Sequence, residues 1–195
     1  MCVKDDKNAF LEPFLRWLRI RKVKKYIPHG ARLLDLGCGF DGKFLKSMRN
    51  YISVRVGVDK KVECTSFDNL LFIKSSFDDL ASIEQRDFDC LTLLAVIEHL
   101  DNPEELITHI SFFIKPEGIL IVTTPTPHAR PVLNFLSFKL GIVSREEIGD
   151  HKRYFGKRDF TVLLERCGFE VIKCEYFQLG FNSLYVTKYT GHCKG

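Results

Sequence analysis

Three groups of residues in this chain have the types and spacing that chemistry requires. The first is Asp35-Leu36-Gly37-Cys38-Gly39, with Gly42 shortly after: a carboxylate closing an apolar run, then glycines. A strand that becomes a helix through glycines gathers backbone N–H groups and a helix N-terminus at one spot, which attracts carboxylates, phosphates and sugar hydroxyls. Gly37 and Gly39 admit positive φ and let a ligand reach the backbone with no Cβ in the way. The second group is Gly57-Val58-Asp59, about two dozen residues after Asp35, where an acid is placed to accept ribose hydroxyls in a nucleotide site. The third is Glu98-His99, which follows the apolar run 90–94, with His151 further along. Imidazole is the natural proton acceptor near neutral pH, and two imidazoles with a carboxylate also make a divalent-metal set.

The elements that must position these groups follow from periodicity. Leu33, Leu34 and Leu36 form a buried strand, and Phe44, Leu45 and Met48 begin the helix after the glycines. Residues 54–58, 90–94 and 119–122 read as further strands, with a short strand-like run at 70–73. The segment 75–79 is a loop. Ser76-x-x-Asp79 is also the cap of a helix over 80–84. Asn102 caps a helix over 103–113, with Pro103 at its first position and Glu104 and Glu105 in its first turn. A helix over 158–167 stops at Gly168, and 169–176 with 183–188 alternate as a closing antiparallel pair. Alternating strands and helices of this kind give a mostly parallel sheet with helices on both faces and an antiparallel last strand.

The 195 residues make one domain, 1–195, too short for two ordinary ones. At its start, 1–28 carries a basic amphipathic helix over 10–26. Phe14, Leu15, Trp17 and Leu18 lie on its apolar stripe, among Arg16, Arg19, Arg21 and Lys22. Such a helix packs on the sheet with solvated lysines or rests on an anionic membrane surface, so membrane contact is at most peripheral. Residues 123–150 form an apolar insertion at the strand ends, placed as a lid. A net charge of +4 is mild and demands no anionic partner. The seven cysteines are scattered, without Cys-x-x-Cys pairs, which is the usage of a reduced, cytoplasmic protein. No apolar run is long enough to span a membrane, and no aromatic–basic alternation marks a nucleic-acid platform.

Asp35-Leu36-Gly37-Cys38-Gly39, Gly57-Val58-Asp59, the segment from Phe88 to Leu100 and Ile114-Lys115-Pro116-Glu117-Gly118 together resemble the successive motifs of class I S-adenosylmethionine (SAM) dependent methyltransferases. Val96-Ile97-Glu98-His99-Leu100 and His151-Lys152-Arg153-Tyr154-Phe155 resemble the branch containing the ubiquinone-biosynthesis O-methyltransferases. The resemblance implies a Rossmann-like sheet of seven strands. It implies SAM as cofactor, lying along Asp35, Gly37, Cys38, Gly39, Gly42, Asp59, Lys60 and Leu94, with the adenine in the loop Ser76-Phe77-Asp78. Ser76 stands where the family commonly has an acid, and Asp41 where its third glycine usually falls. Gly42 is then expected to take over the close approach of helix to strand, and Asp41 to point to solvent or to the SAM amino group.

The resemblance also implies methyl transfer to a small-molecule acceptor, apolar or lipid-like, at oxygen. Glu98, His99 and His151 are then the candidates for taking the proton. Some relatives bind metal through Glu-x-x-Glu-His. Ala95 occupies the first Glu position, which argues against a metal here. The motif of amino-group methyltransferases is absent, since Leu93-Leu94-Ala95-Val96 stands in its place. Phe135, Leu136, Phe138 and Leu140 with the first helix would line the acceptor mouth. Two rivals remain. Gly37, Gly39 and Gly42 satisfy Gly-x-Gly-x-x-Gly, so a nicotinamide-dependent oxidoreductase is one. A methyltransferase-like protein that binds SAM without turnover is the other.

Overall fold

A computed structural model describes residues 11–77, 79–129 and 154–191. Asp78, His151 and the stretch 130–150, including the apolar mouth residues, lie outside the described residues. The elements in chain order are α1 (Leu11–Lys24), β1 (Arg32–Leu36), α2 (Lys43–Ser47), β2 (Val54–Asp59), β3 (Thr65–Phe67), β4 (Leu70–Lys74) and β5 (Phe88–Leu94). A 3-10 turn (Ile97–His99) follows, then α3 (Pro103–Ile110), β6 (Ile114–Pro125), α4 (Lys157–Arg166), β7 (Phe169–Phe177) and β8 (Asn182–Tyr189).

Among the described residues the strands form one sheet in the order β3-β4-β2-β1-β5-β6-β8-β7. The run β4-β2-β1-β5-β6 is parallel. β8 slots between β6 and β7, antiparallel to both. This is the expected mostly parallel sheet with an antiparallel last strand, plus one strand. The addition is β3, paired antiparallel to β4 across the turn Asp68-Asn69, with Phe67 opposite Leu70. Both turn residues have positive φ (49° and 58°), the geometry of the two-residue hairpin turn that Asp and Asn favour.

Central strands here read as continuous apolar runs because both faces are covered. On one face α3 and α4 bring Leu106, Ile107, Ile110, Phe160 and Leu164 against Leu34, Leu36, Val56 and Leu91. On the other, Val23, Phe44, Leu45 and Met48 meet Leu33, Cys90 and Ile121. The Asn102 cap is formed, its side-chain oxygen accepting from Glu105 N at 3.4 Å, with Pro103 opening the helix. Gly168, at φ 83°, ends α4 as expected.

Three expectations need correction. No helix forms over 80–84: Asp79 N is engaged by the Ser76 carbonyl in a single turn, and β5 begins soon after. The helix after the glycines is one short turn, Lys43–Ser47. The apolar stripe of α1 is divided. Val23 is buried, whereas Phe14 and Trp17 remain about half exposed (52% and 50%).

Candidate functional site

The site assembles at the C-terminal ends of β1, β2 and β5, where the chain runs from β1 to β2 and β4 on one side and returns to β5 on the other, the switch point at which an open α/β sheet forms its crevice. Register sets Asp35 beside Gly57 on one side and Thr92 on the other. Asp35 is buried, and the Thr92 hydroxyl donates to its Oδ1 at 2.6 Å. Burial pushes its carboxyl up to about 7. The Thr92 hydrogen bond opposes this and the nearby Asp59 charge adds to it.

The three glycines do different work. Gly37 (φ 81°) and Gly39 (φ 74°) are both left-handed. A Cβ on Gly37 would collide with Val96 Cγ2, so this glycine lets the loop after β5 close against the loop after β1. A Cβ on Gly42 would run into the Phe72 ring, so Gly42 provides the close approach between the start of α2 and β4. Above Gly39 the nearest neighbour to an added Cβ is 3.9 Å away, which leaves the open backbone that a ligand needs. Gly39 N donates to Asp59 Oδ2 at 2.9 Å, and Lys61 N donates to Oδ1 at 2.8 Å. The acid at the end of β2 is thereby fixed beside the glycine loop before any ligand arrives. Ser75 N donates to the Asp59 carbonyl at 3.2 Å, which draws the Ser76-Phe77 loop toward the same crevice, and Phe77 lies near the Gly37 position. Cys38 is a buried thiol whose pKa is raised by burial and by the Asp35 and Asp59 charges, which makes it inert. Lys60 is exposed and Leu94 half-buried at the rim.

Of the two orientations expected for Asp41, toward solvent or toward the SAM amino group, the free solvent-facing one is corrected, since the side chain is engaged by two cations. Its carboxylate pairs with Arg16 of α1 at 3.2 Å and with Lys43 at 3.0 Å, and its Oδ1 accepts from Lys43 N. It braces the Lys43 backbone at the entry to α2 and pins α1 to the glycine loop.

Across the crevice, Ala95 takes a positive φ (59°) and turns the chain out of β5 into the 3-10 turn that carries Glu98 and His99. Glu98 is 1% exposed, and its Oε2 has no hydrogen-bond partner among the described residues. Burial raises its carboxyl to about 7, against the pull of its own backbone N–H, the Arg19 charge and the Thr124 hydroxyl. His99 is half-buried beside it. Sequence reasoning missed Thr92, Arg19 and Thr124. Arg19 sits within a run of basic residues and reads as a solvated face, and no local signal tells it from its neighbours. Helix α1 is further held by Gln178 Nε2 donating to the Leu15 carbonyl at 2.7 Å and by the Lys22–Glu175 ion pair. It thus touches the glycine loop, the Glu98 turn and the β7–β8 end of the sheet. Among the described residues no group of three or more His, Cys, Asp or Glu is placed to hold a metal ion, and no helix is long and apolar enough to cross a membrane.

The family model described as "Methyltransferase domain" matches residues 8–174. The chain is 30% identical over 132 residues to the ubiquinone biosynthesis O-methyltransferase of Xanthomonas axonopodis pv. citri (strain 306), covering 62% of this chain and 52% of that protein. It is 29% identical over 143 residues to the mitochondrial ubiquinone biosynthesis O-methyltransferase of Dictyostelium discoideum, covering 63% and 43%. The chain therefore spans about half the length of these curated relatives. The structure of a SAM dependent methyltransferase from Archaeoglobus fulgidus superposes with a TM-score of 0.66 at 21% identity, over 94% of this chain and all of that one.

Proposed function

This chain belongs to the methyltransferase-domain family, whose cofactor is SAM, and on that premise we propose that it methylates a small, apolar acceptor at an oxygen atom. The observation that carries the reading is Glu98: a buried carboxyl in the 3-10 turn after β5, with an oxygen unpartnered among the described residues and a pKa raised by burial to about 7. The cradle fits the cofactor. The open backbone at Gly39, the fixed Asp59 carboxylate and the buried Asp35 match a ligand that carries sugar hydroxyls and positive charge. When bound, SAM supplies an activated methyl group, so the protein need only orient the acceptor, exclude water and remove a proton.

In this reading Asp59 accepts the ribose hydroxyls. Asp35 lies beneath the positive end of the ligand. Gly37, Gly42 and Cys38 shape the loop, and Lys60, Ser76, Phe77 and Leu94 border the adenine and ribose. Asp78 and His151 keep the roles expected from sequence. Glu98 Oε2 takes the acceptor's proton, with Arg19 holding part of the carboxyl population ionised at neutral pH and His99 beside it as relay. Helix α1 covers the acceptor side. Its half-exposed Phe14 and Trp17 support an apolar or lipid-like acceptor, reached at most from a membrane surface. The described cysteines are all free, which supports a reducing compartment such as the cytoplasm.

The test is turnover of radiolabelled SAM against a panel of quinols, catechols and apolar phenols. Formation of S-adenosylhomocysteine (SAH) with label on oxygen is the expected result. SAM binding without turnover on any acceptor would support a non-catalytic binder, and binding of nicotinamide cofactor in place of SAM would overturn the assignment altogether.

A further inference from the structure

The connection from β2 to β4, residues 60–69, contains β3 and no helix. Adjacent parallel strands are ordinarily bridged by a helix that packs on the sheet. On the α2 side of this part of the sheet lies a cavity of about 690 Å³, within the size range of small-molecule sites. Asp35, Gly37, Gly39, Asp59 and Leu94 do not line it; it lies beside the cofactor crevice, with Phe40 and Lys61 at the border between the two.

Its walls are apolar and aromatic: Phe67, Leu70 and Phe72 on the hairpin, the first of them 69% exposed. Arg55, only 3% exposed, lies among them. Its two Nη groups donate to the Asp68 and Leu45 carbonyls. Its Nε is buried and has no partner among the described residues. The Asp68 carboxylate is shared between Arg49 Nε at 2.7 Å and Arg55 Nη2 at 3.6 Å. Two guanidiniums thus face one carboxylate, and an uncompensated positive charge in a desolvated wall is costly. Lys46, with Nζ 5.6 Å from the centre of the Phe72 ring, and Lys61 add two cations at the rim against the single acid Glu63.

We propose that this cavity is a second binding site, distinct from the cofactor crevice, for a small aromatic carboxylate. The carboxylate supplies the acceptor that Arg55 Nε lacks and offsets the surplus charge. The aromatic body replaces solvent against Phe67 and Phe72, where the crossover helix would otherwise lie. A single free donor suits a carboxylate better than a phosphate, which would call for several.

The test uses the full chain saturated with SAH, titrated calorimetrically with 2-naphthoate, with its neutral isostere 2-naphthamide and with inorganic phosphate. We expect one saturable naphthoate site that SAH does not displace. The amide should bind about tenfold weaker or worse, the weight of one charge-assisted hydrogen bond, and phosphate more weakly than naphthoate. Arg55→Met should abolish binding. Because that variant also tests folding, Lys46→Glu and Phe67→Ala at exposed positions serve beside it, each expected to weaken naphthoate several-fold. Absence of saturable binding, displacement by SAH, equal affinity for the amide, or unchanged affinity in both surface variants would each overturn the proposal.

Discussion

Two acids of the candidate site, Asp59 and Glu98, are treated by the fold in opposite ways. Asp59, at the end of β2, is held by backbone N–H groups on both oxygens, from Gly39 and Lys61. Glu98, beyond the end of β5, is more deeply buried and keeps one oxygen without a donor among the described residues. A carboxylate fixed by backbone donors is pre-organised to accept hydrogen bonds and costs little to order when a ligand binds. A carboxyl buried with an unmet oxygen is driven toward neutral pH in its titration, where it can both take and release a proton. The two acids differ in donor supply: Asp59 ends β2 and meets two backbone donors, whereas Glu98 sits in the 3-10 turn beyond β5.

The comparison breaks most decisively at Glu98. Glu98→Gln is expected to lower turnover by about 10²–10⁴-fold, the usual worth of a positioned base, while SAM affinity measured by calorimetry stays within about twofold. Wild-type turnover should rise with pH through about 7. Arg19→Met should push that limb to higher pH, because the Arg19 charge pulls the Glu98 carboxyl down. Turnover in Glu98→Gln equal to wild type would remove Glu98 from the chemistry.

Asp59→Ala tests the other side. It should cost roughly 2–4 kcal/mol of SAM affinity through lost charge-assisted hydrogen bonds and the release of Gly39 N. Unchanged affinity by calorimetry would refute the ribose assignment.

Stability sharpens the contrast without any ligand. Folded Asp35 and Glu98 both titrate near 7, above their ordinary values of 3.8 and 4.5. The native protein therefore binds more protons than the unfolded chain between those values and about 7, so stability falls as pH rises through that window. Denaturant titrations should show a loss on the order of 1–3 kcal/mol per group between pH 4.5 and 7. Glu98→Gln and Asp35→Asn should each flatten part of it. A profile identical to wild type in both variants would show that neither carboxyl is held up by burial. The smallest effect is expected at Asp41→Asn, since its partners Arg16 and Lys43 are substantially exposed (41% and 64%). Stability should drop by no more than about 1 kcal/mol, with SAM affinity unchanged. A tenfold loss of affinity would return Asp41 to the cofactor.

What could be read from the sequence followed locality. Asp35, the glycines and Asp59 announce themselves because strand, turn and acid are contiguous, and the parallel register then places them together. The hairpin strand β3 was missed because Thr65-Ser66-Phe67 is too short to show alternation, although Asp68-Asn69 is a recognisable hairpin turn. The distinct tasks of Gly37 and Gly42 depend on Val96, in the loop after β5, and Phe72, on β4, both distant in sequence. Arg19 beside Glu98 was out of reach for the same reason: a helix face read as solvated becomes part of the site only when α1 is laid across the strand ends.

The placement of β8 between β6 and β7 carries a consequence for biogenesis. As the chain leaves the ribosome, β1 to β6 can pair in turn, but β6 then presents an unpaired outer edge along Ile119–Pro125 until residues 182–189 have been made. That edge includes Thr124, whose side-chain hydroxyl helps set the Glu98 titration. The nascent protein thus exposes an unpaired apolar strand edge, the kind that recruits other chains, until one late strand inserts.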